Sequence, residues 1–155
     1  IYMNIAFIYF GLNALSASLH WLNKVLNTME DNARAGLAKI FSLIVHYELG
    51  NQDLLEYASR STYRFLYKRD RLYAFENIML HFIRKKAPTM ITATDRLSVF
   101  QELKAELEGL KKDPLEEKAL GFFDFLSWLK SKITDRSFAN IVKMKALQGN
   151  TGKDI

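Results

Sequence analysis

The chain has 155 residues, 49% of them apolar and 25% charged, with a formal net charge of +5. That length and balance fit one globular domain with a core of its own and exclude a disordered chain. Two prolines leave helices almost uninterrupted, and the lack of any cysteine excludes disulfides, thiol catalysis and zinc-thiolate sites.

The opening stretch, IYMNIAFIYFGLNAL, has no initiator methionine, no basic n-region and no small-residue cleavage pattern. Its apolar run is too short to span a bilayer. It reads as a helix from the C-terminal part of a longer protein, in a cytoplasmic setting with no membrane contact. Residues 2–12 are apolar almost all round, as in a helix buried on several sides. Asn13 follows where the chain must turn, since asparagine tolerates the left-handed conformation. Ser16 is the expected cap of a second helix, whose Leu19, Leu22, Val25 and Leu26 recur at helical spacing. The polar run NTMEDN, 27–32, reads as a loop.

A third helix is expected over 33–49, with Leu37, Ile40, Phe41, Ile44 and Val45 on one face, ending at Gly50-Asn51. Asp53 is the expected cap of a fourth helix reaching to about residue 68. A polar turn over 69–71 leads to helix five, 72–86, which ends before Pro88. Thr94 opens helix six, and Asp113-Pro114 closes it, because proline suits the first turn of a helix and not its interior. Helix seven spans 115–132. Ser137 caps a short eighth helix to about Leu147, and the tail QGNTGKDI, 148–155, has nothing to bury and is expected to be disordered.

The chain therefore reads as an all-α protein of about eight helices with short connections, which imply antiparallel neighbours. Residues 1–147 form one domain in this reading, with repeat-like hairpins over 2–86 and capping helices over 94–147. A closed bundle and an open solenoid of helix pairs both remain open. The turn residues Asn13 and Gly50 lie 37 positions apart, a spacing suited to repeated hairpins.

Tyr9, Asn13, Leu15 and Ser18, with the following 19–27 segment LHWLNKVLN, resemble a tetratricopeptide repeat. That motif has an aromatic residue in its first helix, a turn residue, and a small residue early in its second helix. Tyr47-Glu48-Leu49-Gly50-Asn51 with Asp53 resembles the turn of a second repeat, although Leu43 and Leu55 stand where close packing favours Ala or Gly. The chain is similar to the C-terminal parts of bacterial helical-repeat proteins. The resemblance implies a non-enzymatic scaffold that binds a protein or peptide partner along a helical groove. The groove positions it implies are Met3, Phe7 and Phe10, then Leu37, Ile40, Ile44 and Tyr47. Either the chain's own C-terminal helices cover these positions or they line an open peptide groove. In a repeat stack the N-terminal helix would also expose apolar residues among Tyr2, Ile5, Ile8 and Tyr9, so self-association through that edge is expected.

The second function class rests on charge. At ~100° per residue, Tyr57, Arg60, Arg64, Tyr67, Lys68 and Arg71 fall on one arc of the fourth helix. Residues 57–86 hold eight Lys and Arg against two Asp and Glu, a net of +6, so the rest of the +5 chain sums to −1. Arginine interleaved with aromatics suits phosphate contact and base stacking, which makes a nucleic-acid-binding helical domain the alternative. A solvated outer face accounts for the same pattern and is the preferred reading, with nucleic acid the less favoured partner. The three histidines, His20, His46 and His81, are far apart and have no partner at metal-binding helical spacing. No Gly-rich phosphate loop is present, and the carboxylates alternate with lysines as surface pairs do, so no catalytic residue, metal or cofactor is expected. In GFFDFLSWL, 121–129, there are more apolar residues than one stripe requires. That fits a helix packed on two sides, or one whose Phe123 or Trp128 docks a second chain.

Overall fold

Ten of the seventeen residues of one helix, Ala33–Leu49, are buried, which makes it the centre around which the others pack. In the computed structural model, which describes residues 1–30, 32–69 and 73–151, the α-helices are α1 (Tyr2–Gly11), α2 (Leu15–Thr28), α3 (Ala33–Leu49), α4 (Gln52–Tyr67), α5 (Ala74–His81), α6 (Ala93–Gly109), α7 (Pro114–Leu120), α8 (Phe125–Thr134) and α9 (Phe138–Thr151). A π-helical turn, Phe82–Lys86, continues α5. There is no strand among the described residues, and none of their helices is long and apolar enough to cross a membrane. The architecture is all-α.

Local chemistry explains most of the boundaries. Asn13 turns the chain between α1 and α2 at φ 59°, and Gly50 ends α3 at φ 75°, both as the sequence predicts. Asn32 caps α3 by accepting a hydrogen bond from the Ala35 amide at 3.0 Å. Asn51, not Asp53, caps α4 through the Leu54 amide, and Asp53 sits in the first turn instead. The Ser16 cap is absent, because α2 already starts at Leu15 with Ala14 in the cap position, two residues before Ser16. Helix α6 opens at Thr92, two residues before Thr94, where Thr92 and Asp95 each bond the other's amide at 3.0 Å. Ser137 caps α9 as expected.

Two expectations need correction. The single helix over 115–132 is two helices, so the described residues form nine α-helices. After Leu120 the chain passes through a turn, and the Asp124 carboxylate starts α8 by accepting from the Ser127 amide at 3.1 Å. The tail expected to be disordered from residue 148 continues α9 to Thr151, while the rest of it, like much of the predicted turn at 69–71, lies outside the described residues.

Along α1 to α4, successive helices pack on each other. The α1–α2 approach is close because the facing residues are small. Ala6 and Ser18 are fully buried, and the Ser18 hydroxyl donates to the Ala6 carbonyl at 2.7 Å. From α5 onward the chain folds back: α5 packs on α3, and α6 on α8. One contiguous core runs from Met3 to Leu129, joining Phe10, Phe41, Phe75, Phe100, Phe123 and Trp128.

A polar joint is buried inside this core. The Glu116 carboxylate on α7 accepts from the Ala74 and Phe75 amides at 2.7 and 3.0 Å, satisfying orphan donors at the start of α5. Beside it, Glu76 is fully buried and accepts from the Arg69 guanidinium at 2.6 Å and from the Tyr73 amide at 3.0 Å. Burial pushes the Glu76 carboxyl up from its ordinary value of 4.5, the Tyr73 amide and Arg69 pull it back, and Glu116 adds to the rise. A carboxyl raised on folding binds more protons folded than unfolded. Its contribution to stability is therefore complete below pH 4.5 and is lost as pH rises through the folded-state pKa. The stability of wild type relative to Glu76→Gln, followed by urea unfolding from pH 4.5 to 8, should fall as pH rises. A flat or rising difference would contradict this account.

Candidate functional site

The groove positions implied by the resemblance are largely occupied by the chain itself. Leu37, Ile40 and Ile44 are buried in the core, as is Met3. Phe7 is half-buried against the rings of Phe41, Phe122 and Phe123, with centroids 5.0 to 5.6 Å away. The cause is the aromatic surplus of 121–129. Phe123 turns inward onto α1 and α3, Phe125 onto α5 and Trp128 onto α3 and α6, removing apolar surface from water on both sides at once. Phe123 and Trp128 are accordingly core residues.

Two groove residues, Phe10 buried at 5% exposure and Tyr47 half-buried, nevertheless border a cavity. Phe10 and Tyr47 line a cleft of about 670 Å³ where the ends of α1, α3 and α8 meet the starts of α6 and α9. Its floor is aromatic: Tyr47 lies 6.3 and 6.2 Å, centroid to centroid, from Phe100 and Trp128. Phe10 meets Phe138 edge-on at 5.4 Å. The wall carries a buried-to-surface polar chain. Glu48 accepts from the Trp128 indole N–H at 2.7 Å and from the Lys132 ammonium at 2.7 Å. Glu48 and Lys132 thus neutralise one another.

Arg96 and Arg136 are left on the rim. Among the described residues Arg96 forms no ion pair, and the Arg136 guanidinium contacts the Met144 sulfur at 3.2 Å. Burial pushes the Tyr47 phenol up, Glu48 adds to the rise, and Arg96 opposes it, so a positive charge stands near that ring. Asp135, held in the left-handed conformation at φ 53°, contributes the one further carboxylate of the lining. The cleft can thus hold an apolar or aromatic group on its floor and an anionic group at its rim. Its serine hydroxyls are committed: Ser131 donates to the Trp128 carbonyl, and Ser137 caps α9.

The basic face of α4 is real and uncovered. Tyr57 is 71% and Tyr67 is 53% exposed, and Arg60, Arg64 and Lys68 are also on the surface. Arg71 lies outside the described residues. Arg60 pairs with Glu56 one turn earlier. The sequence reading missed Tyr63, Arg84 and Lys85, which the fold adds to this face. Tyr63 stacks on Tyr67 with centroids 4.2 Å apart, and the Arg84 guanidinium lies 4.5 Å from the centre of the Tyr63 ring.

At the N-terminal edge, Tyr2, Ile8 and Leu12 are exposed, while Ile5 and Tyr9 are half-buried. Tyr2 rests against Trp21 at 5.4 Å, and Lys24 covers that indole at 4.6 Å. The three histidines stay apart, and no group of three His, Asp or Glu side chains suited to a metal ion occurs among the described residues. Half-burial holds the His46 imidazole below its ordinary pKa of 6.5.

Comparison of the chain with protein-family models, with curated proteins and with solved structures gives no match.

Proposed function

We propose that this chain is a non-enzymatic interaction module that holds a segment of a protein partner in the cleft between α1, α3, α6, α8 and α9. The observation that carries this reading is the position of Phe10 and Tyr47. Of the predicted groove residues, these two still reach a cavity, and its volume of about 670 Å³ is in the range of ligand sites. An aromatic floor with a few convergent charges at its rim suits an anchor side chain plus one charged group of a peptide. The tetratricopeptide-like features of α1 to α4, the left-handed turns at Asn13 and Gly50 and the close Ala6–Ser18 contact, support a repeat-derived scaffold.

Selection of a displayed random-peptide library on the immobilised chain tests the reading. Enriched peptides should bind the wild type, and the rim double variant Arg96→Glu/Leu97→Glu should weaken them by about tenfold or more, the scale of a lost anchor contact. Both positions are exposed, so the fold should persist. Lys112→Glu, exposed and outside the lining, should leave binding unchanged. Failure to enrich any peptide, or equal binding by the rim variant, would overturn the proposal.

A further inference from the structure

We infer that the surface formed by the outer face of α4 and the π-helical turn binds single-stranded nucleic acid. This site shares no lining residue with the cleft above, so it stands or falls independently. Four observations combine here. First, the tyrosines are presented as a prebuilt stack: Tyr63 and Tyr67 lie 4.2 Å apart at an interplanar angle of 30°. The Tyr67 hydroxyl donates to Asn77 Oδ1 at 2.9 Å, which fixes the ring while leaving the residue 53% exposed. A fixed, exposed ring gives a base a π-face to stack on with little further ordering cost.

Second, Arg60, Arg64 and Lys68 recur every fourth residue, so at ~1.5 Å per residue they are spaced about 6 Å apart along α4. Third, the π-helical turn Phe82–Lys86 carries a basic run, Arg84-Lys85-Lys86, whose first member meets the same face. Arg84 reaches the Tyr63 ring at 4.5 Å, and Lys85 lines the hollows on both sides of it, about 390 and 440 Å³. Fourth, most of the basic side chains are unpaired, although Glu106 lines one hollow and Asp53 and Glu56 the other. Among the described residues Arg64, Lys68, Arg84 and Lys85 form no ion pair, while Arg60 pairs with Glu56.

The combination discriminates between polyanions. Positive charge alone would suit duplex DNA, an anionic bilayer or a single strand. Stacking platforms are useless to a duplex, whose bases are already paired and stacked inside, and they give a lipid headgroup nothing to stack on. A single strand uses both, with phosphates on the Arg64, Lys68 and Lys85 charges and a base on Tyr67.

The test is fluorescence anisotropy with labelled oligothymidylate and oligouridylate of about twenty nucleotides, near physiological salt (~0.15 M). Unlabelled heparin, a duplex of matching length and phosphatidylserine vesicles serve as competitors. Affinity should fall steeply with salt, and Arg64→Glu/Lys85→Glu should weaken it by about a hundredfold. The deciding variant is Tyr67→Leu, which keeps bulk and removes the ring. It should weaken both oligonucleotides by about tenfold while leaving heparin binding unchanged, with helicity checked by circular dichroism. Whether the uridylate or the thymidylate binds better identifies RNA or DNA as the ligand. Three results would each overturn the inference: no binding at that salt, equal competition by duplex or vesicles, or Tyr67→Leu affecting oligonucleotide and heparin alike.

Discussion

Replacing Gly36 by alanine is expected to destabilise this protein by about 2–4 kcal/mol, although the same change in an ordinary exposed helix interior stabilises by ~1 kcal/mol. Gly36 is buried in α3, at the point where the Arg69–Glu76 pair passes over the helix. A Cβ there would collide with Glu76 Oε2 and would lie 2.9 and 3.0 Å from the two terminal nitrogens of Arg69. The carboxylate cannot retreat freely, because it also accepts from the Tyr73 amide and sits wholly inside the core. Separating a buried ion pair costs ~3–5 kcal/mol, since each charge is left without its partner in a low-dielectric surrounding. The gain in helix propensity offsets only part of that. Urea unfolding measures the outcome, and a double-mutant cycle identifies the cause: in an Arg69→Ala/Glu76→Ala background the alanine at 36 should become neutral or stabilising. If Gly36→Ala stabilises the wild-type chain, the polar joint does not press on α3 as described.

How much of this was legible in the sequence depends on the range of the interaction. Asn13 and Gly50 announced left-handed turns because that requirement is local and few residue types meet it. Asp113-Pro114 announced a helix start for the same reason. The residues of 37–45 read as one apolar face, and only the fold shows α3 to be central. Some local signals were present and outranked by stronger-looking neighbours. Thr92 with Asp95 forms a capping box, yet Thr94 sits closer to the apolar run. Gly36 inside an otherwise good helical segment was itself a sign of close approach.

What the sequence could not convey was partnership at long range. Nothing near Glu116 says that its carboxylate caps a helix more than forty residues earlier. Nothing near Glu48 says that it accepts from an indole eighty residues later. The fate of the groove positions turned on this kind of contact. The aromatics at 121–129 were read correctly as too numerous for one stripe, but only the fold shows that the second side they pack on is the predicted groove. The basic face had a similar history: angles on α4 collected Tyr57, Arg60, Arg64, Tyr67 and Lys68, while Arg84 and Lys85 joined them through a π-helical turn with no evident mark in FIRKK.

Trp128→Ala should produce the second large effect, because this side chain is where core and cleft meet. Trp128 is 1% exposed and is the largest of the fully buried side chains. Its ring lies 6.0 to 6.4 Å, centroid to centroid, from Tyr47, Phe82 and Phe100, so removing it opens a cavity between α3, α6 and the end of α5. Truncating a buried aromatic of this size costs ~3–5 kcal/mol, from lost transfer free energy plus the residual cavity. In a chain of this length each kcal/mol shifts the midpoint by roughly 2–4 °C, so a fall of about 10–15 °C is expected in a thermal melt. Trp128→Phe separates packing from hydrogen bonding. It refills most of the space but takes the indole donor from Glu48, which keeps Lys132 at 2.7 Å, so the loss should be about 1–2 kcal/mol. If the cleft holds a peptide anchor, Trp128→Phe should also weaken a selected peptide more than it lowers stability, since Tyr47 and Glu48 both lose the group that positions them. A phenylalanine variant that melts as low as the alanine variant would place the importance of Trp128 in its hydrogen bond rather than in its packing.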